Sequence, residues 1–100
     1  MRYFRFVADT EFVGTENIRY VAFPNNVTDK ELQEYADDFA RDNGENFEYL
    51  VFGWKADPVA DGDMTEEEYD QQIAFYYEDC TCEYFEVTKE EFIENKGVDA

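Results

Sequence analysis

The sequence Thr-x-x-Glu occurs three times, at residues 28–31, 65–68 and 88–91. In this arrangement, the capping box, the Thr and Glu side chains satisfy backbone N–H groups that the first turn of a helix leaves unpaired. A capping box therefore marks the residue at which a helix begins. Three boxes in a chain of 100 residues predict three helices and restrict any strands to the segments outside them.

Apolar spacing supports each predicted helix. The first helix is expected to end near Asn43 and Gly44, the second to run to about Asp79, and the short third helix to end at Gly97. The residues predicted to face the core are Leu32, Tyr35, Ala36, Phe39 and Ala40 in the first helix, Tyr69, Ile73 and Tyr76 in the second, and Phe92 and Ile93 in the third.

The remaining segments are rich in β-forming residues. Residues 2–8 and 18–23 flank a turn-forming cluster at 14–17, which predicts an antiparallel hairpin whose first strand ends near residue 8 or extends to Val13. Residues 47–54 predict a third, central strand and residues 82–87 a fourth, with a loop at 55–64. The order β-β-α-β-α-β-α indicates one α+β domain, residues 1–100, in which helices cover one face of a mostly antiparallel sheet of about four strands.

The balance of charge restricts the kind of partner. The chain has 26 acidic and 8 basic residues, a net charge of −18, although 19% of its residues are aromatic and supply a core. Direct binding to nucleic acid or to an anionic membrane requires a basic face, so the expected partner is a basic protein surface or a cation. Residues 1–28 hold three acids and three bases, so the acidity is concentrated after this neutral segment.

The residues that usually carry catalysis are missing. The chain has no His, no glycine-rich phosphate loop and no nucleophile elbow, so we expect a protein that is not an enzyme and has no cofactor. Cys80 and Cys82 are interpreted as free thiols, with a redox pair as the alternative. Asp9 follows Met1 too closely for a signal peptide, which predicts a cytoplasmic location.

Residues 57–68 partly resemble the calcium loop of an EF-hand. Oxygen ligands are available at the right spacing, but Val59 occupies a ligand position and the preceding segment is predicted to be a strand. The alternative is a loop that ends in a capping box, where Glu68 already has a role. No metal site is therefore predicted, and the weak candidate ligands of this loop are Asp57, Asp61, Asp63 and Glu68.

Acidic residues recur on the predicted outer helix surfaces with few compensating Lys or Arg residues. An array of carboxylates can take the place of nucleic-acid phosphates in a basic groove, and aromatic side chains among them can act as anchors. Phe75 and Tyr77 are the candidate anchors; alternatively they belong to a wider apolar helix face that packs on the sheet. The predicted partner-binding residues are Glu31, Glu34, Asp38, Asp42, Glu66, Glu67, Asp70, Phe75, Tyr77, Glu78, Glu90 and Glu94.

The chain resembles the small acidic proteins of phages and mobile elements in its small size, its lack of catalytic groups and its acid runs at 66–68 and 90–91. Residues 23–32 (FPNNVTDKEL) are similar to the strand-to-helix entry of phage open reading frames. Several such proteins are anti-CRISPR or anti-restriction inhibitors that mimic DNA. The resemblance implies inhibition of a nucleic-acid-binding host protein, such as a nuclease or defence effector, in the host cytoplasm.

Three alternatives remain open on the sequence. The chain could be a regulatory or scaffolding domain whose acidity serves solubility, with an aromatic partner site. It could be a calcium-binding module. An acid-rich, salt-adapted proteome would also explain the charge.

Overall fold

A computed structural model describes residues 1–52 and 58–100, and their side chains except those of residues 49–52. The elements are β1 (Arg2–Asp9), β2 (Asn17–Phe23), α1 (Asp29–Phe52), α2 (Glu66–Glu78), β3 (Thr81–Val87), α3 (Lys89–Glu94) and β4 (Val98–Asp99). The described elements form a four-stranded sheet in the order β3-β1-β2-β4, so the α+β class is confirmed.

The predicted hairpin is confirmed, and its two strands, rather than the predicted third strand, form the centre of the sheet. β1 pairs antiparallel with β2, with Phe4 opposite Val21, and antiparallel with β3, with Phe6 opposite Tyr84. β1 ends at Asp9 rather than at Val13. Side chains alternate along a strand, so one face of β1 presents Phe4, Phe6 and Ala8, all of which are buried.

α1 packs on this face and completes the core. Leu32, Ala36 and Phe39 are buried against the strands, as the apolar spacing predicts. The Phe4 and Phe23 rings meet edge to face with centroids 5.8 Å apart, and the Phe6 ring stacks on the Tyr84 ring with centroids 5.5 Å apart. Aromatic contacts of this geometry add to the free energy from burying the rings.

The predicted boundary between the first helix and a third strand is wrong. α1 continues through Gly44 to Phe52, so residues 47–52 are helical, and the last two residues of the predicted strand lie outside the described residues. A Cβ on Gly44 would lie 2.7 Å from Cys80 Sγ and 3.2 Å from Tyr77 Cε1. Gly44 therefore allows a neighbouring segment to approach α1 closely and does not end the helix.

The other helices begin as predicted. The side chains of Thr65 and Thr88 accept hydrogen bonds of 3.2 Å from the N–H groups of Glu68 and Glu91. α2 ends at Glu78 with Asp79 as its C-cap. The observed order is β-β-α-α-β-α-β.

A short strand that the sequence did not predict follows α3. β4 pairs parallel with β2, with Val98 opposite Val21, and makes the sheet mixed. α3 connects β3 to β4 across the second face of the sheet. Tyr3 points away from the α1 side, and its ring centroid lies 4.7 Å from that of Phe92 in α3. Helices therefore lie on both faces, and the expectation of one covered face is wrong.

None of the helices in the described part of the chain combines the length and apolar character required to cross a membrane.

Candidate interaction surfaces

Four predicted acidic residues form one line on α1, which we name the α1 stripe: Glu31, Glu34, Asp38 and Asp42. All four are exposed. At about 100° per residue they fall within an arc of about 80°, and the stripe is about 16 Å long. Lys30 Nζ lies 3.9 Å from Glu34 Oε1, but both side chains are exposed, so this ion pair offsets the negative charge of the stripe only weakly.

The predicted acids in the first turn of α2 lie on a separate surface. Tyr69 donates a hydrogen bond of 3.3 Å to Glu48, and Tyr76 donates one of 2.8 Å to the carbonyl of Gly44. The two helices are therefore antiparallel, and the first turn of α2 lies beyond Glu48, away from the N-terminal half of α1. Glu66, Glu67 and Asp70 there line a shallow depression with Gln71 and Ala74, and Glu78 is exposed near the other end of α2.

The two predicted aromatic anchors differ in their surroundings. Phe75 is 70% exposed on α2. Tyr77 is half-buried and packs against α1 rather than the sheet: its ring centroid lies 5.1 Å from the Arg41 guanidinium, and its hydroxyl donates a 3.1 Å hydrogen bond to Glu48. Its side chain also lines a depression together with Asp38. Burial and this hydrogen bond raise the pKa of Tyr77 well above its usual range.

The acids of α3 are not on the same side of the molecule as the α1 stripe. Glu90 and Glu94 are exposed on a helix that packs on the second face of the sheet, whereas α1 packs on the first. The structure thus divides the predicted site into three groups, and no single flat partner surface can contact all of them.

The β1–β2 loop carries an apolar surface that the sequence interpretation missed. Phe12 is half exposed and Val13 fully exposed at the tip of this loop. The adjacent Glu11 and Gly14 have positive φ angles, 67° and 84°, which force the chain to turn sharply on both sides of the pair. The signal in the sequence was the pair Phe12 and Val13 placed beside a turn-forming Gly14.

Buried polar groups anchor this loop tip to the fold. Thr15 Oγ1 accepts a 2.6 Å hydrogen bond from the Thr10 hydroxyl and donates one of 2.6 Å to the Phe12 carbonyl. Asn43 of α1 donates a 2.9 Å hydrogen bond to the Thr15 carbonyl. Because Asn43 follows Asp42 in α1, the apolar tip lies at the Asp42 end of the α1 stripe.

The two cysteines are free thiols, as interpreted from the sequence. Burial raises the pKa of Cys82 to about 11 and also raises the pKa of Cys80. A high pKa keeps a thiol protonated at neutral pH and makes it a poor nucleophile.

The EF-hand comparison gains no structural support in the described residues. Asp61 and Asp63 are exposed in a turn, Thr65 donates a 3.1 Å hydrogen bond to Glu68 in the capping box, and Asp57 lies outside the described residues. Within residues 1–52 and 58–100 there is no group of three or more metal-ligating side chains that could hold an ion.

Comparison with known proteins adds no relative: no family model, no curated protein and no solved structure matches the chain.

Proposed function

We propose that this chain is a binding protein, not an enzyme, and that the α1 stripe docks in the basic groove of a nucleic-acid-binding protein, where it excludes DNA or RNA. The observation that carries the proposal is the α1 stripe itself, four exposed carboxylates in line on one rigid helix. Its carboxylates recur every 4.5–6 Å of helix axis, against one phosphate per about 3.4 Å of a DNA strand.

Charge at this density needs additional contacts to produce a tight complex, since exposed ion pairs each contribute little. The tip formed by Phe12 and Val13 supplies them in this proposal. It is apolar, held by buried hydrogen bonds, and located at one end of the α1 stripe. A pre-ordered apolar anchor costs little conformational entropy on binding, which is a property of interface hot spots.

The test begins with DNA-cellulose loaded with bacterial DNA-binding proteins. Adding the chain at low salt should release a small set of these proteins, which are then purified for affinity measurements over a range of salt concentrations. Affinity should fall steeply with salt. Neutralising the α1 stripe (E31Q, E34Q, D38N, D42N) should weaken binding roughly tenfold to a hundredfold and flatten the salt dependence.

The matched control removes the same number of charges elsewhere, with D61N, D63N, E90Q and E94Q, and should bind nearly as the original chain does. Replacing Phe12 and Val13 with Ser should weaken binding at every salt concentration, whereas F75S should not. Equal losses for the two charge variants would contradict a role for the α1 stripe. Loss only with the apolar variants would favour the scaffolding function.

A further inference from the structure

The second face of the sheet is only partly covered. α3 lies over the end of this face that contains Tyr3, through the contact of Phe92 with Tyr3. Beyond α3, two rows of side chains cross β3, β1 and β2. In one row Arg5 pairs with Tyr20 and Phe85, and in the next Val7 pairs with Ile18 and Glu83. We name these six residues the open face: Arg5, Val7, Ile18, Tyr20, Glu83 and Phe85.

The open face is apolar around two opposite charges. Phe85 is 51% exposed and Ile18 is 41% exposed, while Val7 and Tyr20 are half-buried. Arg5 has no hydrogen bond or ion pair within the described residues, and its Nε is buried without a partner. By contrast, Arg2 pairs with Glu86 at 3.1 Å and Arg19 donates to the Tyr35 hydroxyl. A buried guanidinium nitrogen without an acceptor is costly.

We propose that the open face binds the open face of a second copy of this chain. A two-fold axis between the two sheets, equidistant from Arg5 and Glu83, places each Arg5 against Glu83 of the other copy. Neither Arg5 nor Glu83 has an ion-pair partner among the described residues of its own chain. In the dimer the two charges pair twice across the interface, and the exposed Phe85 and Ile18 side chains leave water. This self-association goes beyond the proposed function and does not depend on it.

Charge favours a second copy over an acidic or basic partner. The open face carries one positive and one negative side chain, so it is neutral in a chain whose net charge is −18. Approach of two such chains is opposed by their overall repulsion, which salt screens. Added salt should therefore strengthen this association, whereas it weakens the docking of the α1 stripe to a basic groove.

The size of the open face sets the strength expected. Three strands about 4.8 Å apart and two rows about 7 Å apart form a patch about 14 Å square. Such a patch is below the ~800 Å² per partner of a standard stable interface. The dimer should be weak and should form at concentrations of about 0.1–1 mM.

Sedimentation of the chain alone tests the proposal. At about 0.5 mM protein, the mass should rise from 11.9 kDa towards about 24 kDa, and more so at ~0.5 M than at ~0.05 M salt. The variants R5E and E83R should each weaken association at least about tenfold, because each places like charges together. The double variant R5E/E83R should restore it, since it re-forms both pairs in reverse.

Two exposed residues of α3 provide charge-matched controls. K89E and E90R change the net charge as R5E and E83R do, and should leave the self-association measured at high salt unchanged. F75S, on α2, should also have no effect, whereas F85S should abolish association. Circular dichroism of each variant establishes that it is folded. A chain that remains at 11.9 kDa at high salt, or a folded double variant that stays monomeric, would overturn the proposal.

Discussion

The side-chain amide of Asn43, buried in α1, donates a 2.9 Å hydrogen bond to the backbone carbonyl of Thr15, 28 residues earlier in the chain. This bond connects the helix that carries the α1 stripe to the loop that carries the Phe12 and Val13 tip. A carbonyl buried with no donor costs about 1–3 kcal/mol, so this bond stabilises the loop together with the hydrogen bonds among Thr10, Phe12 and Thr15.

Replacing Asn43 with Ala should lower the free energy of unfolding by about 1–3 kcal/mol, because the Thr15 carbonyl loses its donor. Urea denaturation measures this change. Amide hydrogen exchange should also become faster in residues 11–15 than in the strands. The matched control is N46A, at an exposed position of the same helix, which should change stability by less than about 0.5 kcal/mol. Equal effects of the two substitutions would contradict a specific role for Asn43.

Gly44 tests the close packing of Cys80 and Tyr77 on α1. In an exposed helix interior, Gly to Ala stabilises by about 1 kcal/mol. At Gly44 the new methyl group would approach Cys80 Sγ at 2.7 Å, so G44A should instead destabilise the protein by about 1 kcal/mol. In a C80A background the same substitution should cost less, and the double-mutant cycle from urea denaturation measures the difference. A stabilising effect of G44A would contradict the close packing of Cys80 on Gly44.

Lys96 provides a route to higher stability. It has a φ of 53° and follows Asn95, the C-cap of α3, and Gly97 donates a 3.0 Å hydrogen bond to the Phe92 carbonyl, as in a Schellman C-cap. Because a side chain is strained in this left-handed conformation, K96G should stabilise the protein by about 0.5–1 kcal/mol in thermal or urea unfolding. K96A retains the Cβ and is the control for loss of the charge, so it should not give the same gain.

The Cys82 thiol should make stability fall at alkaline pH. Its ordinary pKa of 9.0 is raised to about 11 by burial, so the folded chain holds the proton more tightly than the unfolded chain does. This contribution to stability is fully present below pH 9 and is lost as the pH rises towards about 11. In a C80A background, the thiolate absorbance of Cys82 should titrate well above 9. The stability difference between C80A and C80A/C82A should shrink over the same range; parallel pH curves for the two proteins would contradict it.

Much of the fold follows from local sequence. The capping boxes begin α1, α2 and α3 because the Thr hydroxyl and the first-turn N–H groups are only three residues apart. The apolar spacing of Leu32, Ala36 and Phe39 orients α1, and alternation orients β1 and its hairpin. These features depend on neighbours within a few residues, which the sequence displays directly.

Other features depend on contacts between distant segments. Gly44 is compatible with a helix end or with a close helix contact, and the approach of Cys80 and Tyr77 decided for the latter. β4 has only two residues, and it is a strand because α3 directs Val98 to the free edge of β2. Side-chain pattern cannot identify a strand that short.

The candidate site likewise combines features set by local sequence with features set by contacts between distant segments. The sequence by itself determined that the chain is strongly acidic, that its first 28 residues are neutral, and that Glu31, Glu34, Asp38 and Asp42 align along one helix. Only the tertiary structure decided that the acids of α3 lie on the other side of the sheet, that Tyr77 packs against α1, and that the loop carrying Phe12 and Val13 is bonded to α1 at Asn43. Helical spacing places residues on a surface, but the long-range hydrogen bond from Asn43 to Thr15 and the crossing of α3 decide which surfaces are neighbours.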